Sequence, residues 1–161
     1  MKRTSVLLLA MLAVFVVQQG CSEKAKTSNV TLDKERMIRS DEAFSELSRQ
    51  QGMKKAFIEY MEEDGVLLRP GYIPIVGADA IEFISQANDS AYILTWKPSG
   101  GDVSSSGDFG FTYGVYTLRL PDTTLFGTYA NVWRKQHDGK WKFILDTGNE
   151  GIKADTLSTG Q

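Results

Sequence analysis

Residues 125–147 read LFGTYANVWRKQHDGKWKFILDT. Asp138-Gly139 lies between two runs rich in aromatic and β-branched residues. That pair supplies the positive φ angles that a tight hairpin turn demands, so two long strands are expected, Leu125 to Gln136 and Trp141 to Thr147. On the first of them, alternation puts Gly127, Tyr129, Asn131 and Trp133 on one face. Upstream, residues 107–120 form another long strand, and Pro121-Asp122 begins the turn that ends it. Tyr92, Leu94 and Trp96 alternate against Ile93, Thr95 and Lys97, which predicts a strand before it. Pro98 to Ser106 is rich in Gly and Ser and is expected as a loop. Gly107, Gly110, Gly114 and Gly127 within these strands predict a strongly bent sheet, because glycine permits bulges and sharp curvature.

The N-terminal half reads as helical. Met37, Ile38, Phe44 and Leu47 mark one amphipathic helix from Asp33 to about Gln51, broken at Gly52. Met53, Ala56, Phe57, Tyr60 and Met61 then follow helical spacing. Asp64-Gly65 is expected to end that second helix through a left-handed cap. Val66-Leu67-Leu68 is a short strand stopped by Arg69-Pro70-Gly71. A third helix is expected from about Ala78 to Ala87, with Ile81 and Ile84 inward. Helices first and an antiparallel meander after them give an α+β fold, a cone-shaped barrel of strongly bent antiparallel sheet with the N-terminal helices packed on its concave face.

Ahead of the domain, Lys2 and Arg3 precede an apolar run from Val6 to Val17. At roughly a dozen residues it falls short of the ~20 that span a bilayer, and it reads as a signal-peptide core. Gly20-Cys21 at its end resembles a lipobox, although Gln18 and Gln19 depart from the usual pattern. Cys21 is the single cysteine of the 161 residues. It is expected to carry a lipid anchor; the alternative is a free thiol in a linker. Acyl chains there would hold the protein to a bacterial membrane. The expected organisation is a signal peptide over 1–20, the lipidated Cys21 and a flexible tether over 21–31, the cone domain over 32–148 and a polar tail over 149–161. The expected location is the cell envelope.

Net charge is −2. There is no basic run, which argues against a nucleic-acid partner. One histidine and one cysteine leave too few soft ligands for a metal centre, and no phosphate loop or nucleotide fingerprint is present, so neither metal nor cofactor is expected.

Ala56-Phe57, Asp64-Gly65-Val66, Gly77, Trp96-Lys97-Pro98, Ser106-Gly107-Asp108, Gly127-Thr128-Tyr129, Val132-Trp133-Arg134, the run from Asp138 to Lys142 and Asp146 occur in an order that resembles the nuclear transport factor 2-like, or SnoaL-like, superfamily. The nearest likeness is to its ketosteroid-isomerase-homologue branch of unknown function. The resemblance covers about residues 40–148 and implies the cone fold and, often, a homodimer paired through the outer face of the sheet. It does not fix a function, since that fold hosts isomerases, cyclases, dehydratases and plain binding modules.

Steroid isomerases of this fold use a base carboxylate, a tyrosine and a protonated acid. The resemblance puts Arg69 at the base position, Phe44 at the tyrosine and Asn131 at the acid. Arg69 cannot take a proton from carbon at neutral pH, so that chemistry is not expected. The expected ligand pocket comprises Phe44, Tyr60, Arg69, Trp96, Tyr129, Asn131 and Trp133, with Tyr129 and Trp133 flanking an amide; the plainer alternative is a half-buried sheet face. Asp108 has Gly110, Thr112 and Gly114 as same-face neighbours. That leaves space beside a carboxylate, and Asp108 is the candidate catalytic acid/base; its alternative is a turn cap. The expected function is binding of a small, largely apolar molecule by an envelope lipoprotein. A lyase or isomerase using Asp108 and a dimerising structural module are the alternatives.

Overall fold

A computed structural model describes residues 19–152, with side chains from Asn29 onward. The signal-peptide charges and apolar run, the side chain of Cys21 and the tail beyond residue 152 lie outside the described residues. Among the described residues no helix is long and apolar enough to cross a membrane.

The elements in chain order are helix α1 (Gln19–Gln51), α2 (Met53–Tyr60), strand β1 (Met61–Leu68), β2 (Ile75–Val76), α3 (Ala78–Gln86), β3 (Ile93–Val103), β4 (Phe109–Arg119), β5 (Thr124–Lys135) and β6 (Trp141–Glu150). They form an α+β fold with one six-stranded sheet, in the order β2-β1-β6-β5-β4-β3. The sheet is bent and does not close. Backbone over 21–31, where a tether was expected, continues α1 as helix.

Four differences from the sequence reading have local causes. First, the sheet is mixed: β1 lies parallel to β6, with Leu67 opposite Asp146, while the other pairings are antiparallel. The parallel pair is reached only through the long crossover formed by everything between them. Second, α2 stops at Tyr60, because Met61 already has extended backbone and its N–H closes on Phe57. Asp64-Gly65 therefore lies inside β1, at a break in register between Met61 and Val66, and the space a Gly65 side chain would fill is taken by Met61. Third, β3 runs through the expected loop as far as Val103, absorbing Pro98 and Gly100 in a bulge opposite Gly114 and Tyr113. Fourth, β6 continues past Thr147 to Glu150, so the expected tail begins inside the sheet.

The hairpin is as read. Gly139 has φ 84°, and Gln136 and Lys140 close the turn at 2.7 Å. Gly110 shows why glycine is needed on the bent strand β4: a Cβ there would sit 2.6 Å from the Asp102 carbonyl and 2.6 Å from Met37 Sδ.

The buried positions of α1 are Asp33, Met37, Asp41, Phe44, Ser45 and Ser48. They recur at helical spacing, but most are polar. The reason is the neighbour: α1 lies along β3, an edge strand whose outer backbone groups lack a strand partner. Ser45 Oγ accepts from the Trp96 N–H at 2.8 Å, and Ser48 Oγ donates to the Leu94 carbonyl at 2.7 Å. Where α1 meets α2 and the sheet it becomes apolar. Phe44 packs against Phe57, Tyr60, Trp96 and Phe143, with ring centroids 4.4–5.4 Å apart, and against Trp133 at 6.2 Å. On the convex side Phe109, Phe111 and Tyr113 are about half exposed, on the surface expected to carry a dimer contact.

Phe44 is fully buried at the meeting point of five rings, so Phe44→Ala leaves a cavity as well as losing transfer energy. It is expected to cost about 3–5 kcal/mol in urea unfolding, against about 1 kcal/mol or less for Phe109→Ala on the convex face. Equal losses would place the core elsewhere.

Candidate functional site

The concave side of the sheet holds a cavity of about 440 Å³, bounded by α2, α3, the end of β1 and strands β3–β6. Strand register explains its position. Gly114, Tyr129 and Gly148 are direct partners across β4, β5 and β6, so one tyrosine is flanked by two positions without side chains. The next row is Thr112, Asn131 and Asp146, with Leu67 beyond on β1. Asp146 faces inward because the register between β5 and β6 shifts between Val132 and Trp133. The buried phase of β6 thereby changes from Trp141 and Phe143 to Asp146.

Asp146 forms an ion pair with Arg69, which follows β1. The Arg69 Nη1 also donates to the Leu68 carbonyl at 3.0 Å and the Asp146 carbonyl at 3.3 Å, and the guanidinium carbon lies 5.9 Å from the Phe57 ring centre. Burial raises the Asp146 pKa above its ordinary value, and Arg69 opposes that rise without cancelling it.

A second acid stands behind the cavity wall. Asp41, on α1, is fully buried. Its carboxylate accepts from Trp96 Nε1 at 2.8 Å and from the Tyr129 hydroxyl at 2.7 Å, and Asn131 Nδ2 lies 3.5 Å away. Burial raises the Asp41 pKa; the hydrogen bonds from Tyr129, Thr112, Trp96 and Asn131 act the other way. The Tyr129 phenol is pushed far above its usual range by burial and by the Asp41 charge beside it. Asn131 Oδ1 is buried with no hydrogen-bond partner among the described residues.

Of the expected pocket residues, Arg69, Trp96, Tyr129 and Asn131 line the cavity. Phe44, Tyr60 and Trp133 do not: Phe44 and Trp133 are buried in the aromatic core, Tyr60 stacks on Phe44, and Trp133 Nε1 donates to Thr112 at 2.8 Å. Asp108 is also misplaced by the sequence reading. It is exposed in the turn before β4, where it accepts from Ser106 at 2.6 Å and Ser104 at 3.1 Å, and those hydroxyls lower its pKa. The inward parity of Gly110, Thr112 and Gly114 does not extend to it, because Asp108 precedes the strand and follows Gly107 at φ 77°. Asp108 caps a turn. Arg134 pairs with Glu62 at 2.7 Å. Among the described residues no group of three His, Cys, Asp or Glu side chains is placed to hold a metal ion.

The residue missed was Asp41. The signal was present, since Asp41 stands four residues after Met37 and three before Phe44, on the inner stripe of α1.

No protein-family model matches the chain, and no curated protein matches it. Solved structures do. A nuclear transport factor 2-like protein with a cystatin-like fold from Novosphingobium aromaticivorans superposes with a TM-score of 0.64 at 16% identity, over 89% of this chain and 99% of that one. The fold is the nuclear transport factor 2-like cone. A ketosteroid isomerase-like protein from Erwinia carotovora atroseptica matches that cone with a TM-score of 0.62 at 17% identity, covering 75% of this chain and 98% of its own. A candidate scytalone dehydratase from Novosphingobium aromaticivorans matches it at 0.63 and 15% identity, over 78% and 89%. Identities this low establish the shared cone and leave its chemistry to the residues present.

An acid whose folded pKa is raised contributes stability that is complete below the unfolded value, 3.8 for Asp41, and is lost as pH climbs through the raised one. The stability of the wild type minus that of Asp41→Asn should therefore fall as pH rises from about 4 toward neutrality. Chemical denaturation at a series of pH values measures it. A difference that grows with pH would mean that the donors outweigh burial at this carboxylate.

Proposed function

We propose that the protein is a lipid-anchored envelope component whose cavity holds a small, largely apolar molecule, without steroid-isomerase chemistry. The observation that carries this reading is the cavity itself: aromatic and aliphatic side chains form most of its wall, and a few polar groups meet at Asn131 and Asp146. Sites of this size and make-up typically enclose one small ligand and read one or two of its polar atoms. Arg69 stands where an isomerase of this fold would need its base, and its guanidinium is committed to Asp146 and to backbone carbonyls. Phe44, at the position of the hydroxyl donor, is in the core. Enolate chemistry needs a base and an oxyanion donor, and Asn131 supplies at most one of them.

A second reading, a lyase or isomerase on another substrate, is favoured by one observation. Asp146 is a nearly buried carboxylic acid on the cavity wall with a raised pKa, the property a general acid/base requires. It takes the role expected of Asp108. Under this reading turnover of a substrate would disappear in Asp146→Asn and survive in Asp108→Asn.

Trp96 lines the cavity, whereas Trp133 and Trp141 do not. A hydrophobic probe should quench tryptophan emission, and Trp96→Phe should remove most of that quenching while Trp133→Phe keeps it. Gly148 borders the cavity, and a Cβ there meets its nearest atoms at an ordinary 3.5 Å. Gly148→Leu should fill the space and weaken probe binding about tenfold or more with little loss of fold. Full binding by Gly148→Leu would place the ligand elsewhere.

The anchor rests on Gly20-Cys21 at the end of the short apolar run. Cys21→Ser should move the protein out of the membrane fraction or stall its processing; unchanged fractionation by immunoblot would rule the anchor out.

A further inference from the structure

Tyr116 lines the cavity from β4, and the sheet beside it is cleared of side chains. It stands opposite Gly127 of β5, which in turn stands opposite Glu150 of β6. A Cβ at Gly127 would lie 2.3 Å from Tyr116 Cζ and 2.4 Å from its Cε1, inside any tolerable contact. A Cβ at Gly148 would meet the same ring edge at 3.5 Å. The ring therefore lies down across β5 toward β6, on a bed of two glycines, instead of standing up from the sheet. The carbon over Gly127 is the one that bears the hydroxyl, so the phenol oxygen is carried onto the cavity floor. An aromatic ring laid over a cross-strand glycine is a stabilising arrangement in its own right. A phenylalanine would serve that purpose equally well, so packing does not account for the hydroxyl.

Other strong donors of the wall are already held. Trp96 Nε1 and the Tyr129 hydroxyl donate to Asp41, behind the wall. Arg69 is engaged by Asp146 and by two backbone carbonyls. Tyr116 differs: among the described residues no group accepts from its hydroxyl. The side chain is half-buried on the cavity wall, within reach of a bound molecule. Burial raises its pKa above the ordinary phenol value, so it keeps its proton at neutral pH and can donate. A ligand filling the cavity displaces the water that otherwise satisfies this hydroxyl. A ligand with no acceptor would leave the donor unpaired, which is costly. Tyr92 also brings a phenol to the wall, but from the turn ahead of β3 and not from the sheet floor.

Resting on the binding role above, we propose that Tyr116 is the specificity-determining residue of the cavity. Its hydroxyl donates to an acceptor oxygen, such as a carbonyl, on a largely apolar ligand whose carbon skeleton lies against Phe57, Leu94 and Trp96.

Calorimetric titration of the purified full-length protein with acetylnaphthalene and with isopropenylnaphthalene tests this. The two probes share a ring system and a shape, and differ in a carbonyl oxygen against a methylene. Tyr116→Phe keeps the ring on its glycine bed and removes only the hydroxyl. It should weaken the ketone about five- to tenfold and leave the hydrocarbon within about twofold. In infrared difference spectra the carbonyl stretch of the bound ketone, lowered by the hydrogen bond in the wild type, should rise in Tyr116→Phe. Tyr92→Phe should change neither probe. If Tyr116→Phe weakens both probes alike or neither, or if Tyr92→Phe carries the effect, the assignment of Tyr116 is wrong and the apolar-binding role stands. If neither probe binds the wild type, the binding role itself falls.

Discussion

The carboxylate of Asp41 leaves α1 and takes the indole N–H of Trp96 from β3 and the phenol of Tyr129 from β5. These contacts span more than 50 residues of sequence in each case and join the helix to two separate strands of the bent sheet. Removing a carboxylate from water is expensive, and the cost is offset only where several donors are aimed at it. That requirement fixes where Trp96 and Tyr129 can point. Both side chains then stand as walls of the cavity rather than collapsing across the Gly114 and Gly148 positions beside Tyr129. An apolar residue at 41 could pack against Phe44 and Met37, but it would leave two buried donors unmatched and the walls free to turn.

The same logic explains the polar inner stripe of α1. β3 is an edge strand, and its Trp96 N–H and Leu94 carbonyl face the helix instead of another strand. Ser45 and Ser48 satisfy them. Asp33 likewise takes Lys135, at the end of β5, at 2.6 Å. A wholly apolar stripe would bury more hydrocarbon and strand those backbone groups, and each such group is worth more than the methyl that replaces its partner. The apolar contribution of α1 is therefore concentrated at Met37 and Phe44.

This division set what could be read from the chain alone. The Asp138-Gly139 turn, the inward face of Gly127, Tyr129, Asn131 and Trp133, and the order of elements depend on local backbone chemistry and period-two alternation, which are written in adjacent residues. Asp41 was legible by its position on the inner stripe, but hydrophobic periodicity gives no weight to a polar residue there, so it was passed over. Pro98 to Gly101 read as loop, yet pairing with β4 holds them as strand, and the bulge between Pro98 and Gly100 relieves the irregularity. Asp146 could not be placed inward from parity, since the register shift between β5 and β6 reverses it. Asp108 failed for the converse reason: parity was carried back one step beyond the point where the strand begins.

The two buried acids divide the work of the cavity between them. Asp41 holds the aromatic walls from outside, while Asp146 lies on the wall and holds Arg69. Both have pKa values raised chiefly by burial, but their surroundings differ. Asp41 has only neutral donors, so its protonation changes the hydrogen-bond order behind the wall without baring a charge. Asp146 has a cation, so its protonation would leave the Arg69 charge unbalanced inside the cone. The second event is the more costly at neutral pH, because losing one partner of a nearly buried pair leaves the other uncompensated. The ionised pair is accordingly the resting arrangement, and Arg69, held by Asp146 and two carbonyls, acts as the clasp between β1 and β6 at the cavity's edge. An arginine therefore fits where the resemblance would put an isomerase's carboxylate: in this chain that end of the first strand ties β1 to β6 at the cavity's edge.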